Sequence, residues 1–417
     1  MWRATSATGG SASFRLIRVH APHTWSLDRQ CHEDQGKNER QMHEPMKYIL
    51  FAMTCSLMVQ ATLTAQESVI IGQVKEINSA ALGGEVRYHV HLPEKYAGTD
   101  EPFPVIYLIN AQSTANFANA CATVDNLSSE RIPDMILVGI SNTGVAGNYW
   151  SCPDDSGQLK PAARFYRFLE EELIPEINKN YRTTPYKILA GQSNSGLYVL
   201  NNLLFHPALF DAYVLASPML GWCPGFLLNE TRKFLDSNPV LNKRLYVDYG
   251  ELDYIEVLDT IQEFEKILGR KSPEGFTWKL EMIRNDGHVP YASLHNALLF
   301  FFSGCTVTPE MRKFSIAQMK SHFVGLSKAY GFTVQPKGDV LFDMALNLKN
   351  EKKVDEAIEW FRYLVSLYPN TAIYYYGFGL TWVQKGDLTS AKGCFKKALE
   401  IDPEDARSKS MLEKIGN

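Results

Sequence analysis

The segment 190–196 (AGQSNSG) places a serine between a short strand-like run and an apolar run. A serine in such a strand-to-helix turn is held so that its hydroxyl points away from the sheet, and small residues on either side let the strand and the helix approach closely. Ser193 has Gly191 two residues before it and Ser195 two residues after it, so the G-x-S-x-G pattern is met as G-x-S-x-S. The segment predicts Ser193 as a nucleophile, although a glycine- and serine-rich helix cap would read much the same.

Two carboxylates and then a histidine follow Ser193 along the chain, each after a strand-like run. A triad on the α/β-hydrolase fold runs serine, acid, histidine along the chain. Glu251 and Asp253 follow the strand-like run 243–249, and His288 lies in a polar loop after the run 276–283. We therefore predict His288 as the general base. For the acid we favour Asp253 over Glu251, and Asp286 is a further candidate for orienting the histidine.

The oxyanion of an acyl-transfer intermediate needs preorganised N–H donors. One comes from the residue after the nucleophile and one from the loop after the third strand. These positions predict the backbone N–H groups of Asn194 and Ala111 as the donors.

Strand-like and helix-like segments alternate from about residue 68 to residue 302. The runs 104–109 (PVIYLI) and 135–140 (MILVGI) are continuously apolar, which is typical of strands buried on both faces. Other predicted strands are 69–74, 85–92, 186–190, 212–216, 243–249 and 276–283. This alternation predicts an α/β domain over residues 67–304, with a mainly parallel sheet covered by helices on both faces.

The chain after residue 304 is predicted to be all-helical. Three pairs of like residues stand 34 positions apart: Ala357 and Ala391, Phe361 and Phe395, and Pro369 and Pro403. This period and these residue types predict two tetratricopeptide-type repeats over 338–417, after a helical connector over 305–337. Because two repeats are few, the connector is expected to cover their open side, or the repeats are expected to lean on the α/β domain.

The bulk composition excludes some partners. Lysine and arginine number 42 against 46 acidic residues, a formal charge of −4 that favours neither nucleic acid nor an anionic membrane. The seven cysteines show no metal-ligand spacing, so neither a metal nor a cofactor is expected. The expected partners are a small-molecule ester and, through the repeats, another protein or the chain itself.

The N-terminal region resembles an extension followed by an export signal. Residues 1–45 are polar and are expected to be a disordered, mis-assigned extension, with translation starting at Met46. Residues 46–66 combine a lysine, a short apolar run and small residues, as a secretory signal does. The run is too short to span a membrane. We expect an exported protein, periplasmic or secreted, with no membrane span after signal removal; the alternative is a disordered extension before a buried helix.

Export would leave five cysteines in an oxidising compartment, where a disulfide can form. The sequence alone names no pair among them: Cys121, Cys152, Cys223, Cys305 and Cys394.

The chain resembles the putative-esterase branch of the α/β hydrolases over about residues 84–304. That branch includes enterochelin-type siderophore esterases, esterase D-like enzymes and mycolyltransferases, and some of its members carry a C-terminal pair of tetratricopeptide repeats. The resemblance rests on PVIYLIN, FLEEELIPEINKNYRTTPYKILAGQSNSG, ASP and GHVPYASLHNALLFFF, which occupy 104–110, 168–196, 216–218 and 287–302. It implies Ser193 as the nucleophile and His288 as the base.

Three segments depart from the pattern of that family. The usual G-H-S-x-G-G has Gln192 and Ser195 here, and the usual L-D-G after the third strand is 109–111 (INA). The stretch 141–150 (SNTGVAGNYW) replaces one that usually carries an Arg-Asp pair. The last two changes alter the acyl pocket, so a siderophore substrate does not follow. Three aromatic residues are predicted either to line this pocket or to serve as ordinary packing: Tyr149, Trp150 and Trp222.

The preferred function is hydrolysis of a carboxylic ester through an acyl-serine intermediate. Acyl transfer to an alcohol is an alternative, because the same triad serves both reactions. A second alternative is a degenerate hydrolase domain that acts as a binding protein, since Asn110, Gln192 and Ser195 all depart from the family pattern.

Overall fold

The core of the α/β part is an eight-stranded sheet in the order β1-β2-β4-β3-β5-β6-β7-β8. The pairs β1–β2 and β2–β4 are antiparallel, and all pairs from β4 to β8 are parallel. The strands are β1 (Gln73–Ser79), β2 (Gly84–His91), β3 (Phe103–Ile109), β4 (Ile136–Ile140), β5 (Thr183–Gln192), β6 (Ala212–Ala216), β7 (Arg244–Gly250) and β8 (Thr277–Ile283).

The computed structural model describes residues 70–416, apart from residues 112, 142, 148, 150, 151, 156 and 224. The predicted extension 1–45 and the predicted signal 46–66 lie outside the described residues.

Helices cover both faces of the sheet. In the α/β part they are α1 (Thr114–Ser128), α2 (Lys160–Arg167), α3 (Ile174–Asn180), α4 (Asn194–Phe205), α5 (Phe226–Ser237), α6 (Ile255–Arg270) and α7 (Ser293–Phe301), and a π-helical turn, Phe168–Leu173, joins α2 to α3. Along β3, Tyr107 and Ile109 lie in one hydrophobic core while Ile106 and Leu108 lie in the other. Two cores on opposite faces explain the continuously apolar strands and confirm the predicted α/β fold class.

The predicted strand positions agree with the structure except at the first strand. A strand was expected over 69–74, but β1 begins at Gln73. Its apolar start is not buried, since Ile70 is 81% exposed. The apolar residues therefore predicted the wrong segment. β1 is an edge strand that pairs only with β2, so its side chains alternate between the two faces and need not form an apolar run.

The C-terminal part is all-helical. It contains α8 (Ile316–Tyr330), α9 (Gly338–Asn350), α10 (Val354–Leu367), α11 (Ala372–Lys385), α12 (Leu388–Ile401) and α13 (Ala406–Lys414). Four residues of the 34-residue pattern are fully buried, namely Ala357 and Phe361 in α10 and Ala391 and Phe395 in α12. They occupy equivalent places in successive helix pairs, as expected for stacked repeats.

The helical part shares a hydrophobic core with one face of the sheet. Met319 and Phe323 of the connector helix α8 lie in this core, together with Trp360 and Leu364 of α10. The connector therefore packs on the repeats, and both rest on the α/β domain.

The contacts between these parts lie at the amino ends of the parallel strands. Lys337, just before α9, donates to Asp134, which precedes β4, at 3.0 Å. Arg244, the first residue of β7, stacks 4.6 Å from the ring centre of Tyr330. These contacts of the helical part therefore lie at the amino edge of the sheet.

Within the described part of the chain, none of the helices combines the length and apolarity needed to cross a bilayer. The same residues contain no cluster of three or more histidine, cysteine, aspartate or glutamate side chains arranged to hold a metal ion.

Candidate active site

Ser193 occupies a strained turn between β5 and α4. Its φ and ψ are 54° and −118°, an unfavourable conformation for a residue with a side chain. The turn is held because the Ser193 N–H donates to the carbonyl of Ala216, at the end of β6, over 2.8 Å. At Gly191 a Cβ would lie 2.6 Å from the carbonyl oxygen of Ser195, so only glycine fits there.

Ser195, the serine in place of the usual glycine, fastens this turn. Its Oγ accepts from the N–H of Gln192 at 2.8 Å and donates to the Gln192 carbonyl at 2.7 Å. The Asn110 Nδ2 also donates to Ser195 Oγ, at 2.9 Å, and the Tyr149 hydroxyl donates to Asn110 Oδ1 at 2.8 Å. Two departures from the family pattern, Asn110 and Ser195, are therefore in direct contact.

His288 is oriented by Asp253. Its Nδ1 lies 2.7 Å from Asp253 Oδ1, and the Asp253 side chain is fully buried. A carboxylate is an acceptor, so this pair places the proton on Nδ1 and leaves Nε2 free to act as a base. The ring of Tyr254 covers the imidazole, with 4.4 Å between the ring centres.

Three further donors fix the Asp253 carboxylate. The backbone N–H of Tyr254 donates to Oδ1 at 2.8 Å, and that of Gly250 donates to Oδ2 at 3.2 Å. The Ser217 hydroxyl donates to Oδ2 at 2.5 Å. With His288, all the hydrogen bonds that a buried carboxylate needs are present.

Ser217 is a positioning residue that the sequence reasoning did not single out. It is fully buried, has a φ of 44°, and accepts from the N–H of Val289 at 2.8 Å. Ser217 therefore joins the loop after β6 to Asp253 and to the loop that carries His288. A signal for it was present, because Ser217 stands directly after a predicted strand end and within one of the segments that resemble the esterases.

The other two candidate acids do not contact His288. Glu251 is exposed, and its Oε2 accepts from the N–H of Asn285 at 2.9 Å. Asp286 Oδ1 accepts from the N–H of Gly287 at 2.9 Å. Of the three carboxylates weighed from the sequence, the structure brings only Asp253 to the imidazole.

Ser193 and His288 both lie at the carboxyl edge of the sheet, where α/β folds build their sites. The hydrogen bonds found among the described residues include none between the Ser193 hydroxyl and the His288 ring. Such bonds are often long in unliganded sites and tighten when substrate binds.

The two predicted oxyanion donors differ in availability. Asn194 is the first residue of α4, so its N–H has no partner within the helix. The N–H of Ala111, in contrast, donates to the carbonyl of Ile140 at 3.0 Å. The prediction for Ala111 disagrees with this geometry, because an N–H that extends the β3–β4 pairing is not free to bind an oxyanion.

The three predicted pocket aromatics have different surroundings. Tyr149 is a core residue that packs against Phe165 and Tyr198 at 5.4 and 6.0 Å between ring centres. Trp222 is 38% exposed in the loop after β6. Trp150 lies outside the described residues.

A disulfide joins Cys152 to Cys223 across 71 residues, with 5.3 Å between their Cα atoms. It ties the segment after β4 to the loop after β6, beside Trp222. Cys121 and Cys305 are buried free thiols, and Cys394 is a half-buried one.

Comparison with known proteins finds similar esterases. The model of the family described as "Putative esterase" matches residues 79–262, and that of "Tetratricopeptide repeat" matches residues 372–405. The chain is 25% identical over 231 residues to the ferri-bacillibactin esterase BesA of Bacillus subtilis, which covers 48% of this chain and 79% of that protein. It is 24% identical to the siderophore triacetylfusarinine C esterase of Aspergillus fumigatus, over 40% of this chain and 62% of that protein.

Solved structures share the fold. An IroE-like serine hydrolase from Shewanella oneidensis superposes with a TM-score of 0.61 at 23% identity, covering 71% of this chain and 99% of its own. A protein from Capnocytophaga ochracea gives a TM-score of 0.56 at 18% identity and covers 82% of this chain and 98% of its own, a longer span than the esterase match alone. The expected resemblance and enzyme class are confirmed: the α/β part of this chain is similar to the Putative esterase family and to ester hydrolases, and tetratricopeptide-type helices follow it.

Proposed function

We propose that this chain is an exported serine hydrolase that cleaves carboxylic esters through an acyl-serine intermediate. The observation that carries the proposal is the buried Asp253 carboxylate 2.7 Å from His288 Nδ1, at the same sheet edge as the strained Ser193 turn. This combination of a nucleophile, a base and an orienting acid is the one that acyl transfer requires.

In the proposed reaction, Ser193 Oγ attacks the ester carbonyl while His288 Nε2 takes its proton. The N–H of Asn194 stabilises the oxyanion. The imidazolium then gives its proton to the leaving alcohol, and water repeats the sequence to release the acid. Asp253 holds the ring in the required tautomer and stabilises the imidazolium between the two transfers.

Ser193→Ala is expected to abolish ester hydrolysis. We expect the chain from Glu67 onward to hydrolyse p-nitrophenyl esters from acetate to decanoate, and kcat to fall at least about 10³-fold in the variant because no acyl-enzyme forms. A fluorophosphonate probe followed by peptide mapping should label Ser193 in the parent only. Added alcohol acceptors that yield new esters would favour the acyltransferase alternative.

Equal rates in the parent and the variant would contradict the role of Ser193. An intact parent that neither turns over esters nor reacts with the phosphonate would favour the binding-protein alternative. The named substrates of the two curated relatives, ferri-bacillibactin and triacetylfusarinine C, belong in the substrate series because they test whether the altered 141–150 segment still admits a siderophore ester.

The acid is tested by comparing Asp253→Asn with Glu251→Gln. The first change favours the wrong tautomer of His288, and we expect kcat to fall about 10³–10⁴-fold with KM little changed. The second removes an exposed carboxylate that caps the Asn285 N–H, so we expect less than a threefold change. Steady-state kinetics on the best p-nitrophenyl ester measures both, and a larger loss in Glu251→Gln would overturn the assignment.

The departures at Asn110 and Ser195 support a working site rather than a degenerate one. In the pattern that the family usually shows, these positions hold an aspartate and a glycine. Here Asn110 donates to Ser195 Oγ, and Ser195 closes the turn that carries Ser193. The two changes compensate each other, because the hydroxyl added at one position accepts from the amide added at the other.

A double-mutant cycle tests this compensation. Ser195→Ala removes the partner of three partly buried groups, the Asn110 amide and the Gln192 N–H and carbonyl, so we expect it to lower the free energy of unfolding by about 1 kcal/mol or more. Asn110→Ala combined with Ser195→Ala is expected to cost at least about 0.5 kcal/mol less than the sum of the single changes. Urea unfolding measures all four proteins. Thr381→Ala, in the repeats, is the control: its loss of unfolding free energy should simply add to that of Ser195→Ala. If the losses caused by Asn110→Ala and Ser195→Ala are also additive, the two changes do not compensate each other.

Export is proposed on the predicted signal and is supported by the disulfide, since such bonds persist in oxidising compartments. Chain that starts at Met46, expressed in a Gram-negative bacterium, should appear outside the cytoplasm, cut near residue 66, with Cys152 and Cys223 blocked to thiol reagents under denaturing conditions. Retention in the cytoplasm with the apolar run 48–59 intact would refute export.

A further inference from the structure

A second buried aspartate, Asp248, lies on β7 near the proposed site but takes no part in the proposed reaction. It is fully buried, and its backbone carbonyl accepts from the N–H of Ser217 at 2.8 Å. Its Oδ1 lies 2.9 Å from the Ser293 hydroxyl, at the start of α7, and its Oδ2 lies 3.2 Å from the Tyr246 hydroxyl. Ser293 is itself fastened to the histidine loop, because its Oγ lies 2.7 Å from the carbonyl of Pro290.

These contacts contain more acceptors than hydrogens. Ser293 Oγ lies between Asp248 Oδ1 and the Pro290 carbonyl, and Tyr246 Oη lies between Asp248 Oδ2 and Glu281 Oε1. Each hydroxyl carries one hydrogen, so an ionised Asp248 leaves two of the four contacts without a hydrogen. A proton on Asp248 supplies a third hydrogen. The carboxylic acid then donates to Ser293 Oγ, and the Ser293 hydroxyl donates to the Pro290 carbonyl. Because the group is buried, this hydrogen has a large energetic effect.

We propose that Asp248 is a neutral carboxylic acid and a positioning residue that fastens the His288 loop to β7 through Ser293. In the proposed hydrolase its effect on catalysis depends on the proposed function, since it acts only through the loop that carries the base. When Asp248 loses its proton, one bond of the Asp248–Ser293–Pro290 chain is lost and the loop is held less firmly.

The charges around Asp248 agree with this state. Burial raises its pKa to about 7, against hydrogen bonds from Ser293 and Tyr246 that lower it, and with Glu281 and Asp286 raising it further. Burial also raises the pKa of Glu281, but hydrogen bonds from Lys279 and Tyr246 outweigh it and lower that pKa. The pKa values of the two acids that flank Tyr246 are thus shifted in opposite directions, which favours the negative charge on Glu281 and the proton on Asp248. From α7, the polar groups near this cluster are Ser293 and Asn296.

The sign of the pH effect follows from linkage. The folded protein binds this proton more tightly than the unfolded chain, so the contribution of Asp248 to stability is full below the pKa of an ordinary aspartate. It declines as the pH rises toward about 7 and is constant above that value. Loosening of the loop in the folded protein accompanies ionisation itself, and therefore occurs around the folded pKa.

Asp248→Asn tests the proposal, because its amide donates to Ser293 at every pH while keeping the shape of the neutral acid. At about pH 4 and below we expect the variant and the parent to unfold at the same temperature, with Asp248→Ala well below both. Between about pH 4 and pH 7 the unfolding temperature of the parent should fall relative to Asp248→Asn, and the difference should then level off. Infrared spectra of protein with ¹³C-labelled aspartate should show a carboxylic acid band at about pH 5 that is absent in Asp248→Asn.

Hydrogen exchange of the backbone amides of residues 285–293 measures how firmly the His288 loop is held, and it does not require that esters be hydrolysed. The parent and Asp248→Asn should exchange alike at about pH 5, and the parent should exchange faster, compared at the same pH, above about pH 8. If esters are hydrolysed, kcat of the parent should also fall above about pH 7 while that of Asp248→Asn does not, with KM unchanged in both. Chain that fails to hydrolyse esters yet shows the stability and exchange differences would contradict only the proposed function. An Asp248→Asn variant destabilised at about pH 5, or a difference that does not change with pH, would overturn the inference.

Discussion

A buried carboxylate must have its hydrogen-bonding capacity filled, and this requirement at Asp253 organises the carboxyl edge of the sheet. Its two oxygens take donors from its own loop, from Ser217 after β6 and from His288 after β8. Removing any one segment would leave part of the carboxylate desolvated without compensation, which costs far more than an exposed ion pair contributes. The loops after three neighbouring strands are therefore held together by one side chain, and the position of the imidazole is a consequence.

Asp248 and Asp253 lie on the same strand–loop unit and show how surroundings separate two acids of one type. Asp253 faces two backbone N–H groups, an imidazole and a hydroxyl, so every neighbour can donate to a carboxylate. Asp248 faces only two hydroxyls, each already within reach of another acceptor. The number of available hydrogens thus distinguishes the two acids: each contact of Asp253 has a donor, whereas the contacts around Asp248 gain a hydrogen only when Asp248 itself carries a proton.

The fold, and Ser193 and His288 as candidate site residues, could be predicted from the sequence because their signals are local. Alternating strands and helices, the turn around Ser193 and the loop around His288 can each be read within a few positions. The choice of Asp253 over Glu251 could not be read from neighbouring positions, because it depends on which of the two carboxylates is buried after β7. Ser217 and the Asn110–Ser195 contact depend on pairs 36 and 85 residues apart. Ala111 was mispredicted because its N–H continues a strand pairing with Ile140, which only the sheet order reveals.

The same sheet order separates the chemistry from the repeats. In a parallel sheet all carboxyl ends lie on one edge, so the Ser193, Asp253 and His288 segments converge there. Asp134 and Arg244 precede or begin their strands, so the groups that they bind, Lys337 and Tyr330, lie at the opposite edge. The repeats complete a hydrophobic core on one face of the sheet, and these two contacts lie at the edge opposite the candidate site. A partner bound by the repeats would therefore be brought beside the hydrolase domain without competing for the ester that the carboxyl edge is proposed to bind.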